Sequence, residues 1–142
     1  MIYLDTSSLL KLFHEEPETD AVRQAVAAES EIIVSVLARL ESRVQFKSRW
    51  LGGDYGKARY LAYVQELDQL AETDPFRFVD LTGSVFATAI HQEFAAISFH
   101  VRTLDRLHLA AMAELDVRRL MTNDTAQAVA AKALGWEVVT PD

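Results

Sequence analysis

Apolar residues recur along this chain with two alternating periods. Short β-type runs fall at residues 2–4, 31–35 (EIIVS), 76–81 (FRFVDL), 119–122 (RLMT) and 136–140. Helical spacing fills the intervals, at 7–13, 18–28, 36–51, 55–72, 84–94, 104–115 and 125–134. Glu16-Pro17 leads into the second helix, where proline suits the first turn. Gly52-Gly53 closes the long third helix, and Gly135 stops the last one at its C-terminal cap. On the third helix Leu37, Leu40, Val44 and Leu51 form one apolar stripe, expected to face the interior with Glu41 at its border. The helix carrying Leu104, Leu107, Leu109, Ala110, Ala111, Met112 and Leu115 is apolar almost all round, so it is expected to be buried.

Strands separated by helices imply parallel pairing in a layered α/β sheet. Ligands of such sheets bind at the carboxyl ends of the strands. No internal repeat, low-complexity tract or linker interrupts the pattern, so residues 1–142 are expected to form one domain.

Composition narrows the chemistry. Half the residues are hydrophobic, and Gly (5) and Pro (3) are too sparse for long disordered stretches. There is no cysteine, which excludes disulfides and thiolate metal sites. No apolar run approaches the ~20 residues of a membrane span, and no basic-then-apolar leader opens the chain. A cytoplasmic protein without membrane attachment is the expectation. The net charge of −7 argues against a simple basic nucleic-acid binder. It leaves room for a nuclease, because a bound divalent cation reverses the local sign of an acidic cluster.

Four carboxylates stand where that sheet would gather them. Asp5 follows the first strand directly, and Asp124 follows the fourth. Glu41 lies a short way into the helix after strand two, and Asp105 opens the buried helix before strand four. Each has an ordinary explanation. Asp5 is a good helix N-cap, although Thr6, Ser7 and Ser8 are good caps too. Asp105 complements a helix dipole, with Thr103 as the expected cap. Asp124 with Gln127 resembles a capping box. Glu41 can be a solvated residue at a stripe's edge. Placed together, however, four carboxylates repel unless a cation joins them, and hard oxygen donors suit Mg²⁺ or Mn²⁺. The histidines, His14, His91, His100 and His108, lack metal-ligand spacing such as HExxH. His108 is read as a packed, hydrogen-bonded helix residue one turn after Asp105. Aspartyl-phosphate chemistry would want an acid two residues beyond Asp5, and position 7 is Ser.

The segments YLDTSSLLKLF, VSVLARLE, RTLDRLHLAAM and TNDTAQAVAAKALGWEVV resemble the motifs of a PIN domain, and within that group of the VapC-type toxin ribonucleases. The resemblance covers essentially the whole chain. It implies a PIN-like three-layer sandwich with a central, mostly parallel sheet flanked by helices. It also implies a Mg²⁺-dependent endoribonuclease, with Mn²⁺ as a substitute, that dimerises and is held inactive by a VapB-like antitoxin. Asp5, Glu41, Asp105 and Asp124 would be its catalytic, metal-binding acids. Ser7 and Thr122 match hydroxyl residues that would orient ligands or water.

RNA must still approach an acidic protein. Between residues 39 and 59, Arg39, Arg43, Lys47, Arg49, Lys57 and Arg59 stand against Glu41 and Asp54, a local net of +4. Arg39, Arg43, Lys47 and Arg49 are the expected phosphate contacts, and Trp50, Tyr55 and Tyr60 the expected stacking platforms. The apolar stretch 85–99 and the Trp50 region are expected interfaces, for a second copy or for an antitoxin whose Arg or Lys enters the acidic cluster. The alternative is a non-catalytic PIN-fold module that binds RNA or a partner protein without chemistry.

Overall fold

The computed structural model describes residues 1–95 and 99–142. In chain order it contains β1 (Ile2–Leu4), α1 (Thr6–Leu10), α2 (Thr19–Ala27), β2 (Ile32–Ser35), α3 (Val36–Leu51) and α4 (Lys57–Leu70), followed by β3 (Phe76–Val79), α5 (Ser84–Ala95), α6 (Thr103–Glu114), β4 (Arg119–Met121), α7 (Thr125–Ala133) and β5 (Glu137–Val139). The strands form one sheet in the order β3-β2-β1-β4-β5, and every pairing is parallel.

This order follows from chain handedness. Parallel crossovers are right-handed, so connections that step in opposite directions along a sheet cover opposite faces. The chain steps outward from β1 to β2 and β3, then returns to place β4 and β5 on the other side of β1. One face accordingly carries Ile2, Leu4, Ile32, Val34 and Met121 against α1 to α4. The other carries Tyr3, Ile33, Leu120 and Val138 against α5 to α7. The result is the expected three-layer sandwich. Its strand order reverses between β1 and β4, where the connections diverge to opposite faces and leave a crevice at the carboxyl ends.

Element positions match the sequence reading within a few residues, with instructive exceptions. Helix α1 ends at Leu10 rather than 13, because the N–H groups of Lys11, Leu12 and Phe13 bond to carbonyls three residues back in a tightened turn. Tyr55 lies outside α4, for which Gly56 is the N-cap. The N-cap of α6 is Arg102, not Thr103, and it makes no side-chain capping bond.

The larger correction concerns α3. Its expected core stripe is on the surface, with Leu40, Val44 and Leu51 exposed by 61%, 55% and 69%. The buried positions are Ala38, Ser42 and Phe46, a stripe of the same period turned by about 100°, the angle of one residue. Phe46 decides the matter physically. Its ring sits 5.2 Å from Phe13 and 5.3 Å from Tyr63, inside an aromatic cluster built by three separate segments. Leu37, Leu40 and Val44 instead line a cavity beside Glu41.

This placement has a measurable consequence. Phe46→Ala should lower stability by about 3–5 kcal/mol in urea unfolding, as expected for emptying a buried aromatic site. Leu40→Ser should stay within about 0.5 kcal/mol of wild type. A comparable loss at Leu40 would contradict the observed rotation of α3.

Candidate functional site

A cavity of ≈ 560 Å³ opens at the carboxyl ends of β1 and β4, and Asp5, Glu41, Asp105 and Asp124 all line it. The structure therefore brings together the four acids singled out in the sequence. Each comes from a different element, so no local sequence window contains the site.

Asp5 extends β1 by one residue, its N–H bonding to the carbonyl of Met121, and then caps α1. Only 3% of it is exposed. Its Oδ1 accepts from Ser7 Oγ at 2.6 Å and from the Ser8 N–H at 3.3 Å, and its Oδ2 accepts from Thr122 Oγ1 at 2.5 Å. Ser7 and Thr122, the two hydroxyl residues singled out beside the acids, thus hold Asp5 from either side. Burial pushes the Asp5 carboxyl above its ordinary value, against the opposing pull of those three donors.

Glu41 is half-buried on α3. Its Oε1 accepts from Thr6 Oγ1 at 2.8 Å and contacts His108 Nε2 at 2.5 Å. Burial raises its pKa, but the His108 and Thr6 contacts outweigh burial and hold the carboxyl below its ordinary value. His108 is 2% exposed and reaches the Tyr3 hydroxyl through Nδ1 at 2.6 Å. Tyr3 in turn donates to Ser35 Oγ at 2.8 Å, and Ser35 caps α3. A buried chain of contacts therefore runs from the cap of α3 through the central strand and α6 back to Glu41. His108 is the packed, hydrogen-bonded residue that its position suggested, and it also lines the cavity.

Asp105 and Asp124 share a cation supplied by the chain itself. Arg102 donates from Nε to Asp105 Oδ2 and from Nη2 to Asp124 Oδ2, both at 2.9 Å. Asp124 Oδ1 caps α7 through the Gln127 N–H. The Gln127 side chain does not complete a capping box. Its Nε2 donates to the Asp105 carbonyl at 2.9 Å and ties α7 to the start of α6. Tyr3, Thr6, Arg102 and Gln127 are further site residues that the strand-end pattern of the acids does not mark. Their sequence signals are the proximity of Thr6 to Asp5 and the three-residue spacings of Arg102 to Asp105 and of Asp124 to Gln127.

Among the described residues, no three Asp, Glu or His side chains form a ready-made metal cluster. The donor set nevertheless suits a hard divalent cation, since all four groups are carboxylates. Two of them already share one positive charge, and the hydrogen-bond donors to Asp5 are neutral.

The expected RNA contacts fare differently. None of Arg39, Arg43, Lys47 and Arg49 lines the cavity. Arg39 pairs with Asp68 at 2.6 Å, and Arg49 with Glu16 at 3.4 Å and Asp54 at 3.9 Å, so the basic stretch is partly neutralised. Tyr55 is a packing residue that donates to the Phe46 carbonyl and contacts His14 and Tyr63. Trp50 is stacked on Tyr60 at 5.1 Å rather than presented alone.

The burial of Asp5 makes a prediction about stability. A carboxyl with a raised folded pKa keeps its proton at pH values where the unfolded chain has released it, so its contribution to stability falls as pH rises through that window. Asp5→Asn removes this cost while leaving a good capping side chain. The variant should therefore melt at or above the wild-type temperature at about pH 7, with the difference shrinking as the pH falls to the ordinary aspartate value of about 4. A melting temperature well below wild type at both pH values would contradict this reading.

Four similarities place the chain among known proteins. Residues 2–141 match the family model described as PIN domain. Ribonuclease VapC46 of Mycobacterium tuberculosis is 34% identical over 142 residues, covering 99% of this chain and 97% of the relative. Among solved structures, Mycobacterium tuberculosis VapC20, described as a Sarcin-Ricin loop cleaving toxin, superposes with a TM-score of 0.76 at 15% identity, over 99% of this chain and 100% of that one. VapBC2 from Rickettsia felis, solved with a DNA fragment from its promoter, superposes with a TM-score of 0.72 at 14% identity, covering 100% of both chains.

Proposed function

Since the chain belongs to the PIN domain family and is similar along its length to a VapC ribonuclease, we propose that it is a divalent-metal-dependent endoribonuclease and the toxin half of a toxin–antitoxin pair. The observation that carries this reading is the convergence of Asp5, Glu41, Asp105 and Asp124 on one cavity at the point where the strand order reverses.

These four acids would hold Mg²⁺ or Mn²⁺. Such an ion, when bound, supplies a low-pKa water and neutralises charge on the scissile phosphate. The chain's own residues supply orientation. Ser7 and Thr122 fix both oxygens of Asp5, and Thr6 and His108 fix Glu41, so neither carboxylate must reorganise. Leu10, Leu37, Leu40, Val44 and Leu104 wall the cavity and limit water around the acids. The same apolar wall, exposed beside an acidic cluster, suits an antitoxin segment that brings an Arg or Lys to the carboxylates. For a homodimer, the face of α5 carrying Phe86, Ile90 and Phe94 is the candidate, at 59%, 70% and 81% exposure. Residues 96–98 of the 85–99 stretch lie outside the described residues. No helix among the described residues is long and apolar enough to cross a membrane.

A competing reading, a non-catalytic module that binds RNA or a partner, draws on the fact that each acid is already engaged by protein donors. Cleavage of an RNA pool separates the two. Wild type should cut in Mg²⁺ or Mn²⁺ and not in chelator. Asp5→Asn and Asp105→Asn should each lose about 100-fold or more while remaining folded, the effect of removing several kcal/mol of charge stabilisation. Cleavage unchanged by both substitutions would point to a contaminant or a different site, and no cleavage by antitoxin-free wild type would favour the module. The purified toxin–antitoxin complex should be inactive on the same RNA, and full activity in the complex would contradict an inhibitory partner at this cavity.

A further inference from the structure

Arg102 lies at the mouth of the acidic cavity with 69% of its side chain exposed. It bridges two carboxylates that stand on different elements, 19 residues apart in Asp105 and Asp124, through 2.9 Å contacts from Nε and Nη2. The two oxygens it occupies are the Oδ2 atoms that face the shared cation, so a divalent ion bound through them would compete with the guanidinium. Its Nη1 makes no hydrogen bond among the described residues, leaving part of the five-donor fork open to solvent. An ion pair this exposed is weak and exchanges readily. The residue does not cap α6 with its side chain, so the helix does not depend on it there.

We propose that Arg102 is a resident cation of the acidic site, which holds Asp105 and Asp124 together until a divalent ion takes them, and then binds the phosphate backbone of the RNA at the cavity mouth. The chemistry is that of the guanidinium itself. Its planar fork matches phosphate as well as carboxylate, and it keeps its charge at any working pH. Once released from the acids, it is a positive group at the rim of an otherwise acidic cavity, where it also feels the charge of Glu41. This inference rests on the metallonuclease reading above.

The test compares wild type, Arg102→Gln and Arg102→Lys, using Mn²⁺ alone and a single-stranded RNA pool. Titration of Mn²⁺, followed by the loss of the free-ion electron paramagnetic resonance signal, should give a dissociation constant about 3–10-fold lower for Arg102→Gln, because a competing charge is gone. Its KM for RNA should rise about 3–10-fold with kcat within about a factor of two, and the salt slope of RNA binding should shrink by about 0.7, one phosphate contact on a single strand. Arg102→Lys should restore the RNA affinity in part, since it keeps the charge and loses the fork. Unchanged Mn²⁺ affinity in Arg102→Gln, or an unchanged KM, would overturn the proposal while leaving the metal site standing. A wild type that binds no Mn²⁺ would overturn the metal site and this proposal together.

Discussion

A carboxylate 97% removed from solvent stands at the end of the central strand, and the surrounding structure is arranged to keep it there. Burying a charge is expensive unless every oxygen is hydrogen-bonded. Ser7, Ser8 and Thr122 bond both oxygens of Asp5 and offset part of that cost, while burial still holds the carboxyl above its ordinary value. The two hydroxyls serve a second purpose, since Ser7 Oγ accepts the Asn123 N–H and Thr122 Oγ1 accepts the Asp124 N–H. The carboxylate is thereby stitched to both the start of α1 and the loop leading into α7. These are the two segments that leave the sheet on opposite sides of the crevice. Moving Asp5 would unfasten the position of Asp124 as well, so the geometry of one acid is inherited by the next.

Helix α3 shows how a site is built on an element that also serves the core. Ala38, Ser42 and Phe46 face inward, and Leu37, Glu41 and Val44 face the cavity, at adjacent positions around the same helix. The core face locks the helix rigidly through Phe46. The cavity face therefore presents Glu41 from a fixed platform, and His108 and Thr6 settle its rotamer. The cost is apolar surface left in water at Leu40 and Val44. Surface of that kind beside a functional cavity commonly marks where a substrate or partner sits.

Electrostatics divides the molecule in a way that net charge conceals. The chain carries −7 overall, yet its acids are not uniformly free. Glu16, Asp54 and Asp68 neutralise part of the basic stretch on α3. Arg102 neutralises part of the acidic cavity. The other acids of the cavity, Asp5 and Glu41, have no arginine or lysine partner among the described residues, and carboxylates gathered in this way suit a hard cation.

Much of the architecture is legible in the sequence itself. The alternation of periods placed each strand and helix within a few residues, Gly135 ended α7 with its φ of 82°, and the strand-end positions of Asp5 and Asp124 pointed to one edge of the sheet. Those features are local, set by steric limits on φ and by which residues share a face. Tertiary structure decided the rest. Periodicity says that Leu37, Leu40, Val44 and Leu51 lie on one face of a helix, but not which face meets the core, because that depends on Phe13 and Tyr63 arriving from elsewhere to enclose Phe46. Charge counting says that Arg39 and Arg49 are basic, but not that Asp68 and Glu16 lie opposite them. The contacts of Tyr3 and Glu41 with His108 span 105 and 67 residues, and that of Arg102 with Asp124 spans 22. Interactions over such separations exist only once the right-handed crossovers have ordered the sheet around β1.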